Sequence, residues 1–343
     1  MEVIYSTDHE THFPQGEVYE GQLIRPFECP ERWDHIVAAL DAAGFTHRSG
    51  PDVLDFAAVH GVHEADYVQF LQNFWANWLA AGHTGEAIPT MFPVRGLRND
   101  KVPADIDGQL GFYALAAETS ITPGTWSAVE AAASLAQTAQ RRVSAGANNA
   151  FALCRPPGHH ASANQFGGYC FLNNAAIAAQ GFLNDGAQRV AVLDVDFHHG
   201  NGTQSIFYNR SEVLFVSLHG DPAEAFPYFL GYAEETGQGP GEGANLNLPL
   251  PPGTGFSQWA AALEVGCQAI VDYRPDALVV SLGVDTFKDD PISFFKLDTP
   301  DYLRIGQRIA ASGLPTLYVM EGGYAVEEIG TNTVNVLLGH LNF

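Results

Sequence analysis

A formal charge of −23 over 343 residues, from 16 Lys and Arg against 39 Asp and Glu, excludes a general nucleic-acid binder, because phosphate backbones call for clustered basic residues. The same imbalance disfavours docking on an anionic membrane. Hydrophobic residues make up 46% and charged residues 16%, so the chain has ample core material and is not disordered.

The elements are read in chain order from periodicity and turn signals. An apolar run at 3–5 predicts a strand. Residues 11–30 are loop-like. Over 66–81, Phe70, Leu71, Phe74, Trp75, Trp78 and Leu79 recur at helical spacing and predict a helix with a buried aromatic face. Residues 84–124, rich in Pro, Gly and acids, read as a second long loop, and long ordered loops on a compact domain are often functional. A helix is expected over 126–143, a strand at 150–154, and an Ala-rich helix over 173–183 that stops before Asp185-Gly186. Strands at 189–194 and 213–218, a helix over 257–273, a strand at 277–284, a helix over 300–311 and a strand at 316–320 complete the reading. The strands are continuously apolar rather than alternating, which fits a parallel sheet covered on both faces. No linker or repeat interrupts the pattern, so one α/β domain spanning 1–343 is expected. No apolar run reaches the ~18 residues of a membrane span. The first residues carry no basic stretch followed by an apolar one, so no secretory leader is expected. Cys29, Cys154, Cys170 and Cys267 are scattered and read as reduced thiols of a cytoplasmic protein.

The residues just beyond each strand carry the chemistry. After 150–154 comes Arg155-Pro-Pro-Gly-His159-His160. After 189–194 come Asp194, Asp196, His198 and Asn201. After 213–218 comes His219-Gly-Asp221, after 277–284 Asp285, and after 316–320 Glu321-Gly-Gly-Tyr324. In a parallel sheet these ends share one side, where ligand sites form. Asp194, Asp196 and His198 are spaced two apart and share a face in extended chain. Asp oxygens and His nitrogens suit zinc, and also manganese or iron. A catalytic zinc keeps three protein ligands, for which Asp196, His198 and Asp285 are the candidates. A histidine of the 159–160 pair could act as general base and then acid, with Asp194 or Asn201 orienting its ring. Tyr324, freed by two glycines, could donate to a developing oxyanion.

Together these pieces resemble the histone deacetylase superfamily. The resemblance also rests on Phe166-Gly-Gly-Tyr-Cys-Phe-Leu-Asn173, on Asp194-Val-Asp-Phe-His-His-Gly-Asn-Gly-Thr-Gln204, on Ser217-Leu-His219 and on Ser281-Leu-Gly-Val-Asp285. Pro123-Gly-Thr-Trp126, Gly220-Asp-Pro-Ala-Glu-Ala-Phe-Pro227 and Asp289-Asp-Pro-Ile-Ser-Phe-Phe-Lys296 look like its bacterial acetylpolyamine amidohydrolase branch. The resemblance implies a single-domain arginase–deacetylase α/β fold with a largely parallel central sheet flanked by helices. It implies one zinc ion on Asp196, His198 and Asp285, although iron(II) suits the same ligands. His160 becomes general base and acid, His159 an electrostatic neighbour paired with Asp194, and Tyr324 the group that polarises the scissile carbonyl. Tyr169 and Phe226, with Gly168 beside Tyr169, would wall a narrow tunnel. Structural potassium is implied at Asp194 and Ser217 with main-chain oxygens of Asp196, His198 and Leu218. A second monovalent site would use main-chain oxygens near Phe207, Arg210 and Val213.

The implied reaction is zinc-dependent hydrolysis of N-acetylated polyamines or diamines to acetate and free amine, with metal-bound water as nucleophile. The substrate is then a small cation. The branch resemblance makes 11–30 and 84–124 insertions that build a homodimer and narrow the tunnel mouth. Glu17, Asp107 and Glu118 lie in or beside them and are the candidates to meet the distal ammonium. Three other readings stay open: a protein lysine deacetylase, a dinuclear manganese amidinohydrolase, and a non-enzymatic polyamine-binding protein.

Overall fold

Continuous apolar strands bury side chains on both faces of a sheet, and they do so here. In the computed structural model, which describes residues 1–343, ten strands form. They are β1 (Glu2–Ile4), β2 (Glu17–Tyr19), β3 (Gln22–Ile24), β4 (Arg48–Ser49), β5 (Asn149–Ala152), β6 (Val190–Asp194), β7 (Val213–Gly220), β8 (Asn245–Leu250), β9 (Ala277–Leu282) and β10 (Thr316–Met320). Eight of them make one sheet in the order β4-β1-β5-β10-β9-β6-β7-β8, every neighbouring pair parallel. All six expected strands are present within one or two residues at most ends.

Helices cover both faces. They are α1 (Glu31–Ala42), α2 (Phe56–His60), α3 (Ala65–Ala80), α4 (Ile106–Tyr113), α5 (Thr125–Ser144), α6 (Asn174–Asn184), α7 (Asn201–Phe207), α8 (Phe256–Tyr273), α9 (Thr299–Ala310) and α10 (Val326–Leu341). Alternate strand residues feed two cores, as the two-residue period of a strand requires. Ala150, Val190, Val192, Val279 and Leu317 pack with α2, α3, α5 and α6. Phe151, Ala191, Leu193, Val280 and Tyr318 pack with α1, α8, α9 and α10.

The two segments read as loops hold short elements. Residues 11–30 contain the antiparallel β2–β3 hairpin. Residues 84–124 contain α4, started by Asp105, whose carboxylate accepts from the Asp107 and Gly108 N–H groups at 2.9 and 3.3 Å. No helix is long and apolar enough to cross a membrane.

The strand order positions the site. β5, β10, β9 and β6 lie side by side at the centre of the sheet. Their carboxyl ends therefore bring the 155–160 turn, the 321–324 loop, Asp285 and the 194–201 loop to one crevice, although these pieces are up to 169 residues apart in sequence (324 − 155).

Candidate active site

Asp194 ends β6 inside the sheet, fully buried. Buried main-chain N–H groups beyond a strand end need acceptors, and the site's own carboxylates supply them. Asp194 accepts from Asp196 N–H at 3.1 Å, Asp196 from His198 N–H at 2.9 Å, and Asp285 from Phe197 N–H at 2.7 Å. The second oxygens of Asp194 and Asp285 then face the His159 and His198 rings, while that of Asp196 accepts from Gly322 N–H at 2.8 Å.

Asp196, His198 and Asp285 each offer a ligand atom, and these atoms lie within 4.8 Å of one another. His198 Nδ1 is 3.0 Å from Asp285 Oδ2 and 3.3 Å from Asp196 Oδ1. Tetrahedral ligands 2.0–2.1 Å from zinc sit about 3.3 Å apart, so the spacing suits such an ion. The electrostatics call for one as well. Burial and the Asp196 charge push Asp285 well above the usual carboxylate range, while Asp196 stays low against its own burial because of His159 and His198. Burial alone would lower His198, but hydrogen bonds to the two carboxylates hold it protonated up to about 10. Two buried carboxylates this close favour a positive charge between them. The chain also makes room: a Cβ on Gly283 would lie 2.0 Å from Asp196 Oδ2.

The tandem histidines divide the two orienting partners between them. His159 Nδ1 is 2.9 Å from Asp194 Oδ2, and burial is overridden by Asp194 and Asp196, so His159 is held protonated well above its ordinary value. His160 Nδ1 is 2.6 Å from Asn201 Oδ1, at the start of α7. An amide oxygen only accepts, so Nδ1 carries the proton and Nε2 keeps its lone pair. Burial, then the charges at His159 and His198, lower His160 well below its ordinary value. His160 is therefore a neutral base at pH 7.

Of these groups, His160 and His198 line a cavity of about 610 Å³, together with Gly168, Tyr169, Phe226 and Tyr324. Phe226 sets its ring edge-on to His160, centroids 5.0 Å apart, and Tyr169 does the same to Tyr324 at 5.6 Å. Gly168 has φ +56°, and a Cβ there would lie 2.3 Å from the His160 ring, so only glycine fits. The 84–124 segment fixes this turn: Glu118 accepts from Gly168 N–H at 2.7 Å, and Thr119 Oγ1 from Tyr169 N–H at 2.8 Å.

Of the three candidate substrate acids, only Glu118 lies on the cavity wall. Glu17 is buried behind Tyr169, whose hydroxyl donates to it at 3.0 Å. Asp107 is exposed in the first turn of α4, off the cavity, because that helix turns this face to solvent. Glu20 and Glu224, not singled out from sequence, do line the cavity. Of the candidate monovalent-cation residues, Asp194 is the register partner of Ser217 across β6 and β7, Ser217 Oγ is 2.8 Å from His219 Nδ1, and Leu218 is buried. Phe207 ends α7, Val213 opens β7, and Arg210 lies in the turn between.

Several positioning residues were not given a role from the sequence. Asp290 accepts from Tyr324 N–H at 2.7 Å and Ala325 N–H at 3.3 Å. The Arg32 guanidinium lies 4.9 Å from the Tyr324 ring centroid and pairs with Glu28 at 2.8 Å. Tyr324 is held well above pKa 10, by burial first, so its hydroxyl stays a donor.

Glu17 gives a stability signature. Burial pushes its carboxyl from 4.5 up to about 7, against the hydrogen bonds from Tyr169 and Phe27. Between those values the folded chain keeps a proton that the unfolded chain has lost. Its contribution to stability therefore falls as pH rises through that window. Glu17→Gln stays neutral throughout. We expect the variant's denaturation midpoint, relative to the parent, to be higher at pH 8 than at pH 5; a difference that is flat with pH would show Glu17 ionised across that range.

Residues 26–339 match the Histone deacetylase domain family. The chain is 55% identical over 338 residues to Acetylpolyamine amidohydrolase 1 of Pseudomonas aeruginosa, covering 98% of each chain. It is also 55% identical over 339 residues to Acetylpolyamine amidohydrolase of Mycoplana ramosa, covering 99% of each. Among solved structures, the acetylpolyamine aminohydrolase from Burkholderia pseudomallei superposes with a TM-score of 0.94 at 38% identity, covering 99% of this chain and 98% of that one.

Proposed function

This chain belongs to the histone deacetylase family, and from that premise we propose that it hydrolyses the acetamide of small N-acetylated polyamines or diamines, releasing acetate and the free amine. The observation that carries the proposal is a convergence. A buried Asp-His-Asp ligand set reaches one cavity through His198, and His160, Tyr324 and Glu118 line that same cavity.

Asp196, His198 and Asp285 would hold one zinc ion, which when bound supplies a Lewis acid for the amide carbonyl and lowers the pKa of a water toward about 7. His160 Nε2 takes a proton from the attacking water and returns it to the leaving nitrogen. Asn201 keeps the opposite Nδ1–H in place, so the lone pair stays directed at the substrate. Tyr324 donates its hydroxyl to the carbonyl oxygen as negative charge grows there. The His159–Asp194 pair leaves a positive imidazolium beside His160, ring centroids 4.1 Å apart, which keeps His160 neutral until it has a proton to carry.

The substrate class is set by charge and width. The overall charge of −23 draws cations toward the cavity. Glu118 holds Gly168 N–H through Oε1, and Oε2 is the group to meet a distal ammonium. The reading extends to potassium at Asp194 and Ser217, both fully buried register partners. It extends to a second monovalent cation at Phe207, Arg210 and Val213. It also includes a homodimer through 84–124, where Met91, Val94 and Leu97 are exposed. The free, buried thiols suit a reducing, cytoplasmic setting.

Amine release by the zinc-loaded protein tests the proposal. Acetylputrescine, acetylcadaverine and acetylspermidine should exceed an acetyl-lysine peptide in kcat/KM. Glu118→Gln should raise KM for the diamines about ten-fold with kcat unchanged, the low end for a hydrogen bond to a charged group. Faster turnover of the peptide would replace this reading with a protein lysine deacetylase. Two metal ions per chain would point instead to dinuclear chemistry.

A further inference from the structure

We propose that Glu321 is a positioning residue that locks the His159–His160 turn and the Tyr324 loop into one register. Its consequence for turnover rests on the hydrolase reading; the geometry does not.

Glu321 directly succeeds β10 and has no solvent exposure. Its side chain crosses to the turn after β5, where Oε2 accepts from Gly158 N–H at 2.6 Å and from His159 N–H at 3.1 Å. Its main chain starts the other loop. The Glu321 N–H donates to Leu282 O at 2.9 Å, and its carbonyl accepts from Arg32 Nη2 at 2.6 Å. The same guanidinium donates through Nε to Gly323 O at 2.7 Å and faces the Tyr324 ring. One residue thus ties the general base's turn to the loop of the oxyanion donor, 163 positions apart.

The carbonyls of the turn have other partners, Gly202 N–H donating to His159 O and Ala161 N–H to Gly158 O, each at 3.0 Å, but the Gly158 and His159 N–H groups have only Glu321. Pro156 and Pro157 have no N–H, so Gly158 and His159 provide the first main-chain donors after Arg155. On its other side the turn is packed tight: a Cβ on Gly158 would lie 2.5 Å from Asn174 N. Without Glu321, two buried N–H groups lose their acceptor. Stability alone explains the residue poorly. Its Oε1 is buried without a partner, and a buried carboxylate so placed is a costly way to stabilise a strand end. What the carboxylate provides is alignment. Proton transfer at His160 Nε2 is sensitive to displacement, and a shift of about 1 Å can cost about 10²-fold in rate.

Two variants and a measurement independent of turnover test this. Glu321→Ala should lower kcat about 10²-fold with KM nearly unchanged and one metal per chain retained. Metal content matters because Gly322 N–H donates to Asp196 at 2.8 Å. Glu321→Gln keeps a neutral acceptor and should recover most of that loss, since charge-assisted bonds are only about twice as strong as neutral ones. Hydrogen exchange on the metal-free protein should quicken at the Gly158 and His159 amides in Glu321→Ala, and less so in Glu321→Gln, while β6 and β9 stay protected. Unchanged exchange at that turn overturns the proposal. So does a Gln variant no better than Ala, or a kcat loss that only tracks lost metal. If Glu321→Ala does not fold, Glu321→Asp, whose shorter side chain cannot reach both amides, decides in its place: unchanged exchange at Gly158 and His159 or an unchanged kcat overturns the proposal, and faster local exchange with reduced kcat supports it. A parent protein that releases no amine from any acetylated substrate would sink the hydrolase reading, and the exchange comparison would still decide the role of Glu321.

Discussion

Asp285→Asn is expected to lose metal and turnover together while the metal-free chain still folds. The Asn side-chain oxygen can still accept from Phe197 N–H, which Asp285 does at 2.7 Å, so the loop keeps its anchor. What changes is the oxygen facing His198 Nδ1 at 3.0 Å. It becomes an NH₂ donor, which cannot serve as a ligand. Asp285 sits fully buried beside Asp196 and is pushed well above the ordinary carboxylate range by burial and that neighbouring charge. Neutralising it removes the repulsion from Asp196 and also the ionic partner of the His198 ring, two changes that oppose each other in the metal-free fold. Zinc in thousand-fold excess over its Kd should stabilise the parent by about 4 kcal/mol, and should leave Asp285→Asn unmoved. Turnover should fall by about 10³-fold or more, because several kcal/mol of charge stabilisation go with the ion. Metal per chain and melting with and without zinc measure both halves. A variant that holds one ion and turns over normally would remove Asp285 from the ligand set.

Much of this site was legible because the sheet is parallel. Runs such as Ala277–Leu282 are apolar at every position but one, since each side chain enters one of two cores. That pattern marks a central strand, and the polar residue after it marks the crevice. Asp196, His198, Asp285, His160 and Tyr324 could be gathered in that way from distant segments. β8 escaped the reading because it is an edge strand in which buried Asn245 and Asn247 alternate with Leu246 and Leu248. α10 starts without a side-chain cap and contains Gly330 and Gly339, residues that weaken a helix signal. Both are needed for close packing: a Cβ on either would come within 2.1 Å of a carbonyl oxygen, of His35 or of Leu303. At the site, the sequence left the partners of the two histidines open, since 35 and 41 residues separate His159 from Asp194 and His160 from Asn201. It placed Glu17 and Asp107 with Glu118 because all three are acids in or near two long segments, and the branch resemblance favoured Glu118 and Glu17. Which of them faces the cavity depends on how the β2–β3 hairpin and α4 fold over the sheet. Glu321, Arg32 and Asp290 act through main-chain hydrogen bonds to remote loops, and no local pattern encodes such contacts.

His160→Ala should lower kcat by 10²- to 10⁴-fold, the usual contribution of a positioned general base, while KM and metal content change little. Loss of rate alone does not separate a base from a packing group, since the ring lies 5.0 Å from Phe226 and fills the cavity floor. Asn201→Asp makes the distinction. It replaces a neutral acceptor 2.6 Å from His160 Nδ1 with an anion of nearly the same shape. A nearby negative charge favours the imidazolium and should raise the pKa of His160 by about one unit or more. In the parent, burial and then the His159 charge hold that pKa well below 6.5, so the basic form persists through neutrality. Rate depends on the unprotonated ring and is lost as pH falls through the pKa. The acidic limb of kcat/KM should therefore move to higher pH in Asn201→Asp, with the rate at pH 8 far less affected than the rate at pH 6. The measurement is a pH profile of both proteins on one acetylated diamine, with saturating metal. If the limb stays where it is while His160→Ala remains inactive, His160 is not the group whose protonation limits the reaction, and the proton would have to be carried by His159, already held charged by Asp194.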